Sequence, residues 1–248
     1  MLKVKRIKKS YQKGGLFSKD RQTILKDITF ECQKGECLGI IGESGSGKST
    51  LGRLILGIEK PDDGAILFEG RNVDKRTVRF GNISAVFQDY KSSINPFFTV
   101  EKAIMEPLKV QKKSDKDNQN KIDLLLHQVG LDSSYREKYP HELSGGEVQR
   151  VCIARAISTE PQCILLDEAI SSLDVSVQIQ VLKLLKDLKK IYNMSYVFIT
   201  HDIQAAAYIC DRVIFFRNGQ IEEMVYIENL KDVKSEYARK LLNFLITF

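Results

Sequence analysis

The stretch that decides the fold is Cys37-Leu38-Gly39-Ile40-Ile41-Gly42-Glu43-Ser44-Gly45-Ser46-Gly47-Lys48-Ser49-Thr50. Cys37 to Ile41 is a short apolar run that reads as a buried strand, and it enters a glycine-rich loop. From Ser49 to Leu56 the period becomes helical, with Leu51, Leu54 and Ile55 on one side. Gly42-x-x-x-x-Gly47-Lys48-Ser49, with a strand before it and a helix after it, is the phosphate-loop pattern in the context that pattern requires. Glycines let the backbone curl so that its N–H groups face phosphate oxygens. The opening helix adds the positive end of its dipole. Lys48 supplies charge to β- and γ-phosphates, and the Ser49 hydroxyl is a hard oxygen ligand for Mg2+. The expected nucleotide contacts here are Gly42, Glu43, Ser44, Gly45, Ser46, Gly47, Lys48, Ser49 and Thr50.

A second strand supplies acids. Cys163-Ile164-Leu165-Leu166-Asp167-Glu168 is a buried run ending in two carboxylates. Asp167 falls at the C-terminal end of the strand, where α/β sheets bind ligands, and is expected to hold Mg2+ together with Ser49. Glu168, one residue on, turns toward an attacking water and is the expected general base or water-positioner. Acidic pairs at strand ends also cap helices; the phosphate loop tips this pair toward chemistry.

Outward from these two strands, residues 2–8 and 26–33 alternate as an antiparallel edge layer does. Pro61-Asp62-Asp63-Gly64 predicts a turn before a strand at 65–68, and Ile83–Phe87 predicts another strand. Residues 99–158 read as mainly helical, broken by the polar stretch Gln111–Asn120. A long amphipathic helix carries Val177, Val181, Leu184, Leu185 and Leu188. Then come a buried strand at Ser195–Thr200, a short helix at Ile203–Ile209, a hairpin around Asn218-Gly219 and a last helix from about Lys234 to Ile246. The expected fold class is α/β: a P-loop NTPase core with a mostly parallel sheet, an antiparallel β edge subdomain and an inserted helical subdomain. The expected boundaries are 1–98 and 159–228 for the nucleotide-binding core, 99–158 for the helical subdomain and 229–248 for a short C-terminal helix.

With 248 residues, 43% apolar and 28% charged, the chain can bury a core without staples. Its net charge of +6 gathers early: residues 1–26 hold nine Lys or Arg against one acid, Asp20. A solvated edge layer is the plain reading, with an anionic membrane surface or nucleic acid as alternatives. Cys32, Cys37, Cys152, Cys163 and Cys210 are odd in number and form no Cys-x-x-Cys pair, which predicts reduced thiols rather than a disulfide framework. Met1 to Lys9 is basic with no apolar core after it, so no secretory signal is expected. No stretch approaches 18 consecutive apolar residues, so a membrane role would come through a partner.

Leu143-Ser144-Gly145-Gly146-Glu147 precedes a helix in which Val148, Val151, Cys152 and Ala156 share a face. Ser144 and Glu147 make a capping box. That accounts for neither glycine, each of which costs helix stability; both make sense if another molecule's phosphates approach the backbone. With this signature the chain resembles an ATP-binding cassette (ABC) subunit over essentially its whole length. The motifs fall in that family's order: loop at 42–49, Gln88, signature at 143–147, acidic strand at 163–168, Ser171-Ser172-Leu173-Asp174, and His201 between Val197-Phe198-Ile199-Thr200 and Asp202. The resemblance implies a head-to-tail pair, each ATP lying between one subunit's phosphate loop and the other's signature. Ser144, Gly145 and Gly146 would then act in trans on the γ-phosphate, and Asp174 would link the two sites. His201 would contact the γ-phosphate and hold the geometry around Glu168; Gln88 would join Ser49 and Asp167 at the Mg2+; Tyr11 would stack on adenine. Glu147 departs from the family's usual Gln, and its charge near incoming phosphates is expected to weaken nucleotide there.

Gln88-Asp89-Tyr90-Lys91-Ser92-Ser93-Ile94-Asn95-Pro96 is similar to the same loop in oligopeptide, dipeptide and nickel importers. The insertion Lys13-Gly14-Gly15-Leu16-Phe17 and the tail Ser235-Glu236-Tyr237-Ala238-Arg239-Lys240-Leu241-Leu242 resemble that group too. Ala169 after Glu168 is closest to the second ATPase of nickel importers. The resemblance implies an ATPase that energises import of nickel or a related metal complex, with peptides as the alternative and a non-transport ATPase on nucleic acid as the less favoured reading. It implies as partners a second ATPase subunit (sister or identical), two membrane permeases and, indirectly, an extracellular substrate-binding protein, with no nucleic acid. The place implied is the cytoplasmic face of the cell membrane, as a peripheral subunit.

Overall fold

The structure, a computed structural model, describes residues 1–13, 20–89, 93–110 and 115–246. The insertion resembling that of the importers, after Lys13, and residues 90–92 of the loop after Gln88 lie outside the described residues. In chain order the strands are β1 (Leu2–Gln12), β2 (Arg21–Cys32), β3 (Cys37–Ile41), β4 (Asp63–Phe68) and β5 (Arg71–Asn72). They continue as β6 (Ile83–Phe87), β7 (Cys163–Asp167), β8 (Ser195–Thr200), β9 (Arg212–Arg217) and β10 (Gln220–Tyr226). The chain forms two compact units, one of Met1–Phe80 with Ser195–Phe248, the other of Gly81–Met194.

The first unit holds an antiparallel layer in the order β2-β1-β4-β5. Leu2, Val4 and Ile7 of β1 are buried while Lys3, Lys5, Arg6 and Lys8 face outward. The alternation skips a step because the β1–β2 register shifts between Val4 and Ile7, with Arg6 at φ 50 and Asp27 at φ 60. The early positive charge is largely met locally: Lys3, Arg6, Lys8, Lys9 and Arg21 pair with Glu31, Asp27, Asp63, Glu59 and Asp62.

The same unit holds the buried strands β3 and β8, parallel, with β9 parallel to β3 on its other side and β10 antiparallel to β9. Every residue of β3 and β8 is buried, so both read as apolar runs without alternation. The β9–β10 turn has Asn218 and Gly219 both at positive φ (48 and 73), the geometry that selects this dipeptide.

In the second unit β6 and β7 are parallel, Phe87 opposite Asp167. The helices there are Val100–Val110, Asp115–Gln128, Gly145–Ile157 and Val175–Tyr192. Helix begins at Asp115, inside the polar stretch Gln111–Asn120 expected to interrupt it. That stretch lacks an apolar period, the signal on which the expectation rested. The helix Val175–Tyr192 buries Val181, Leu182, Leu185 and Leu188 and ends at Asn193 in the left-handed region. Among the described residues no helix is long and apolar enough to cross a membrane. All five cysteines are buried, and none is in a disulfide among the described residues.

Candidate nucleotide site

The phosphate loop leaves β3 at Ile41, which is paired with Thr200 on one side and Phe215 on the other. Gly42 and His201 are therefore the next residues past two adjacent parallel strands. His201 is exposed; the helix behind it, Ile203–Ile209, is capped by the Asp202 carboxylate, which accepts from the Ala205 N–H at 3.0 Å.

The loop's shape is forced by close backbone contacts. A Cβ at position 42 would lie 2.0 Å from the Phe216 carbonyl oxygen, so only glycine fits there. Gly45 and Gly47 take φ of 77 and 108. The Ser46 carbonyl accepts the Gly219 N–H at 2.9 Å, pinning the loop to the β9–β10 turn. Lys48 is 4% exposed, and its ammonium donates to the Gly42 and Glu43 carbonyls at 2.7 and 2.8 Å. Among the described residues the buried Ser46 hydroxyl has no partner. A buried cation, a helix N-terminus and an unmatched hydroxyl in one loop are a donor set suited to a polyanion. Ser49 is exposed at the start of the helix Lys48–Ile55.

Tyr11, at the end of β1, hydrogen-bonds through its hydroxyl to Glu59. Arg53 bridges to Glu59 (2.6 Å), to the Tyr11 hydroxyl (3.4 Å) and to the Thr50 hydroxyl (3.1 Å). Burial opposes the charge on Glu59, yet the hydrogen bonds from Tyr11 and Arg53 hold its carboxyl below the usual range. This network ties Tyr11 to the helix behind the loop. Glu59 and Arg53 carry no motif, so only the structure finds them.

In the second unit, Gln88 follows Phe87 and Glu168 follows Asp167, the facing residues of β6 and β7. The structure thus gathers Gln88, Asp167 and Glu168 at one strand end. Glu168 has φ 48, uncommon for a side-chain-bearing residue, and the Ser171 N–H and hydroxyl both donate to its carbonyl (3.1 and 2.9 Å).

Ser144, Gly145 and Gly146 share a cleft of about 390 Å³ with Ser172, Asp174, Arg150 and Gln180. Asp174 is exposed at the head of the helix Val175–Tyr192. The capping box is present: the Ser144 N–H donates to Glu147 at 2.7 Å, and the Glu147 N–H to the Ser144 hydroxyl at 3.4 Å. Tyr135 donates its hydroxyl to the other Glu147 oxygen at 2.5 Å, and this bond above all holds the Glu147 carboxyl below the usual range. The charge that replaces the family's usual Gln is therefore shared with a phenol and a backbone N–H. Gly146 also has an internal reason to be glycine, since a Cβ there would lie 2.7 Å from Val177 Cγ1.

The family model described as ABC transporter matches residues 25–171. The metal-staphylopine import system ATP-binding protein CntF of Staphylococcus aureus (strain NCTC 8325 / PS 47) is 48% identical, with 100% of each chain covered. The nickel import ATP-binding protein NikE of Rhodospirillum rubrum is 42% identical, covering 97% of this chain and 90% of that protein. Among solved structures, the ATP-binding cassette MJ0796 as a post-hydrolysis dimer bound to ADP and Pi is 28% identical with a TM-score of 0.81. The match covers 92% of this chain and 99% of that one.

Proposed function

The chain belongs to the ABC transporter family, and on that premise we propose that it is the ATP-hydrolysing subunit of an importer for a metal complex. Its phosphate loop carries the reading: a glycine-dependent turn that draws the Lys48 ammonium onto its own carbonyls. That cation and the N–H groups of the loop and helix start would grip the phosphates, the Glu43 N–H, which donates to Tyr237, apart. Tyr11 would stack on adenine, its hydroxyl already held by Glu59, so less freedom is lost on binding.

The second half of the site comes from a partner ATPase, a copy or a sister chain, whose Ser144, Gly145 and Gly146 would meet the γ-phosphate. A dimeric structural neighbour supports this arrangement. Glu168 would orient a water and accept its proton as the oxygen attacks the γ-phosphorus and the bond to the β–γ bridging oxygen breaks, releasing ADP and phosphate, with His201 holding that geometry and Asp174 linking the paired sites. Ser49, Asp167 and Gln88 are oxygen donors suited to Mg2+. That ion, when bound, supplies charge neutralisation on the β- and γ-phosphates.

The chain would sit at the cytoplasmic face of the membrane, held there by two permease subunits and served indirectly by an extracellular binding protein. Two relatives named for metal-staphylopine and nickel import favour a chelated metal as cargo. The test is uptake by the reconstituted complex, supplied in turn with a nickel chelate and with small peptides. ATP-dependent nickel uptake that Glu168→Gln abolishes is expected. Uptake of peptides alone would reverse the substrate, and uptake of neither would contradict the importer reading.

A further inference from the structure

The C-terminal helix Glu236–Ile246 lies beyond the part matched by the family model, yet it reaches the phosphate loop. Tyr237, one residue into it, is 5% exposed, and its hydroxyl accepts the Glu43 backbone N–H at 3.2 Å. The Arg217 guanidinium lies 4.9 Å from the centre of the Tyr237 ring, a cation–π contact from the end of β9. The helix start is itself anchored. Glu223 of β10 accepts the Lys234 and Ser235 N–H groups at 2.9 and 2.8 Å, and the Ser235 hydroxyl accepts the Ala238 N–H at 3.0 Å. Arg239 donates to the Val233 carbonyl at 3.1 Å, and Ala238 is fully buried.

We infer that Tyr237 is a positioning residue for the nucleotide: by taking the Glu43 N–H it fixes the first bend of the phosphate loop and couples the C-terminal helix to phosphate binding. The inference rests on the nucleotide reading above. The contacts that hold the loop include Gly42 against the Phe216 carbonyl, the Ser46 carbonyl on the Gly219 N–H, and the Glu43 N–H on Tyr237. The first two are backbone contacts. The third depends on one hydroxyl, so it can be removed without disturbing the chain path. Lys48 holds the Gly42 and Glu43 carbonyls from one side of the bend, and the Tyr237 hydroxyl holds the Glu43 N–H from the other; without it that N–H loses its partner and the peptide is held from one side only. Burial raises the Tyr237 pKa, so the group that accepts the Glu43 N–H at physiological pH is a neutral phenol.

The test compares wild type, Tyr237→Phe, Tyr237→Leu and Lys48→Ala in the full 248-residue chain and in the assembled importer. Tyr237→Phe keeps the ring and removes only the oxygen. It is expected to raise KM for ATP about three- to tenfold, the value of one neutral hydrogen bond, with kcat changed less than about twofold. Amide hydrogen exchange at Glu43 is expected to quicken in the same variant, a readout that needs no ligand. If Tyr237→Phe keeps wild-type KM and wild-type exchange while Tyr237→Leu is impaired, the tyrosine is packing alone and the inference is overturned. If wild type binds ATP and Lys48→Ala does not, that failure belongs to the inference only. If wild type does not bind ATP, the nucleotide reading falls and this inference with it.

Discussion

Gly42 stands against the Phe216 carbonyl so closely that an added Cβ would lie 2.0 Å from its oxygen. Phe216 belongs to β9 and Gly42 opens the loop after β3, so the loop starts in a position set by the neighbouring strand. Gly42→Ala is expected to destabilise the chain by at least about 1–3 kcal/mol, the usual cost of overpacking a tight site. Urea unfolding checks it; an unchanged midpoint would mean that the strand yields.

Glu168→Gln keeps the shape of the side chain and removes its basicity. Nucleotide binding is expected to persist while single-turnover hydrolysis falls by about 10²- to 10⁴-fold, the range for losing a positioned base. Near-normal hydrolysis would remove Glu168 from the role.

Glu147 predicts a pH effect. Its carboxyl is held below the usual range, first by the Tyr135 hydroxyl and next by the Ser144 N–H. A carboxyl depressed in the folded state contributes stability above its unfolded pKa of about 4.3 and loses it as pH falls through the folded value. Tyr135→Phe is expected to raise the Glu147 pKa and lower thermal stability at neutral pH. The deficit shrinks as pH falls from about 4.3 through the depressed folded value, below which both proteins carry a protonated Glu147. Carboxyl NMR titration of Glu147, with melting curves across that window, checks both signs.

Burial pushes the Cys152 thiol up to about 12. Almost none of it is thiolate at pH 8, so native protein is expected to leave Cys152 unmodified by iodoacetamide and denatured protein to react fully. Peptide mass mapping reads the difference.

The elements legible in the sequence are those whose signal is local. The strand–loop–helix around Lys48, the Ser144–Glu147 capping box and the Asn218-Gly219 turn each state their geometry within a few residues. β1 and β2 run further than alternation shows, to Gln12 and from Arg21, because the irregularity at Arg6 and Asp27 shifts the register. The Tyr11–Glu59 and Glu43–Tyr237 pairs span 48 and 194 residues, and no pattern in one segment announces the other. Gly146 shows a local signal with two causes: the glycine read as room for phosphate also makes room for Val177.

The central claim is that Lys48 and the loop around it hold the phosphates of ATP. Equilibrium binding of radiolabelled ATP with Mg2+, to wild type and to Lys48→Ala, tests it most directly. Saturable binding by wild type, weakened at least about tenfold in the variant by loss of a charged hydrogen-bond donor, is the predicted result. No binding by wild type, or equal binding by both, would contradict the account.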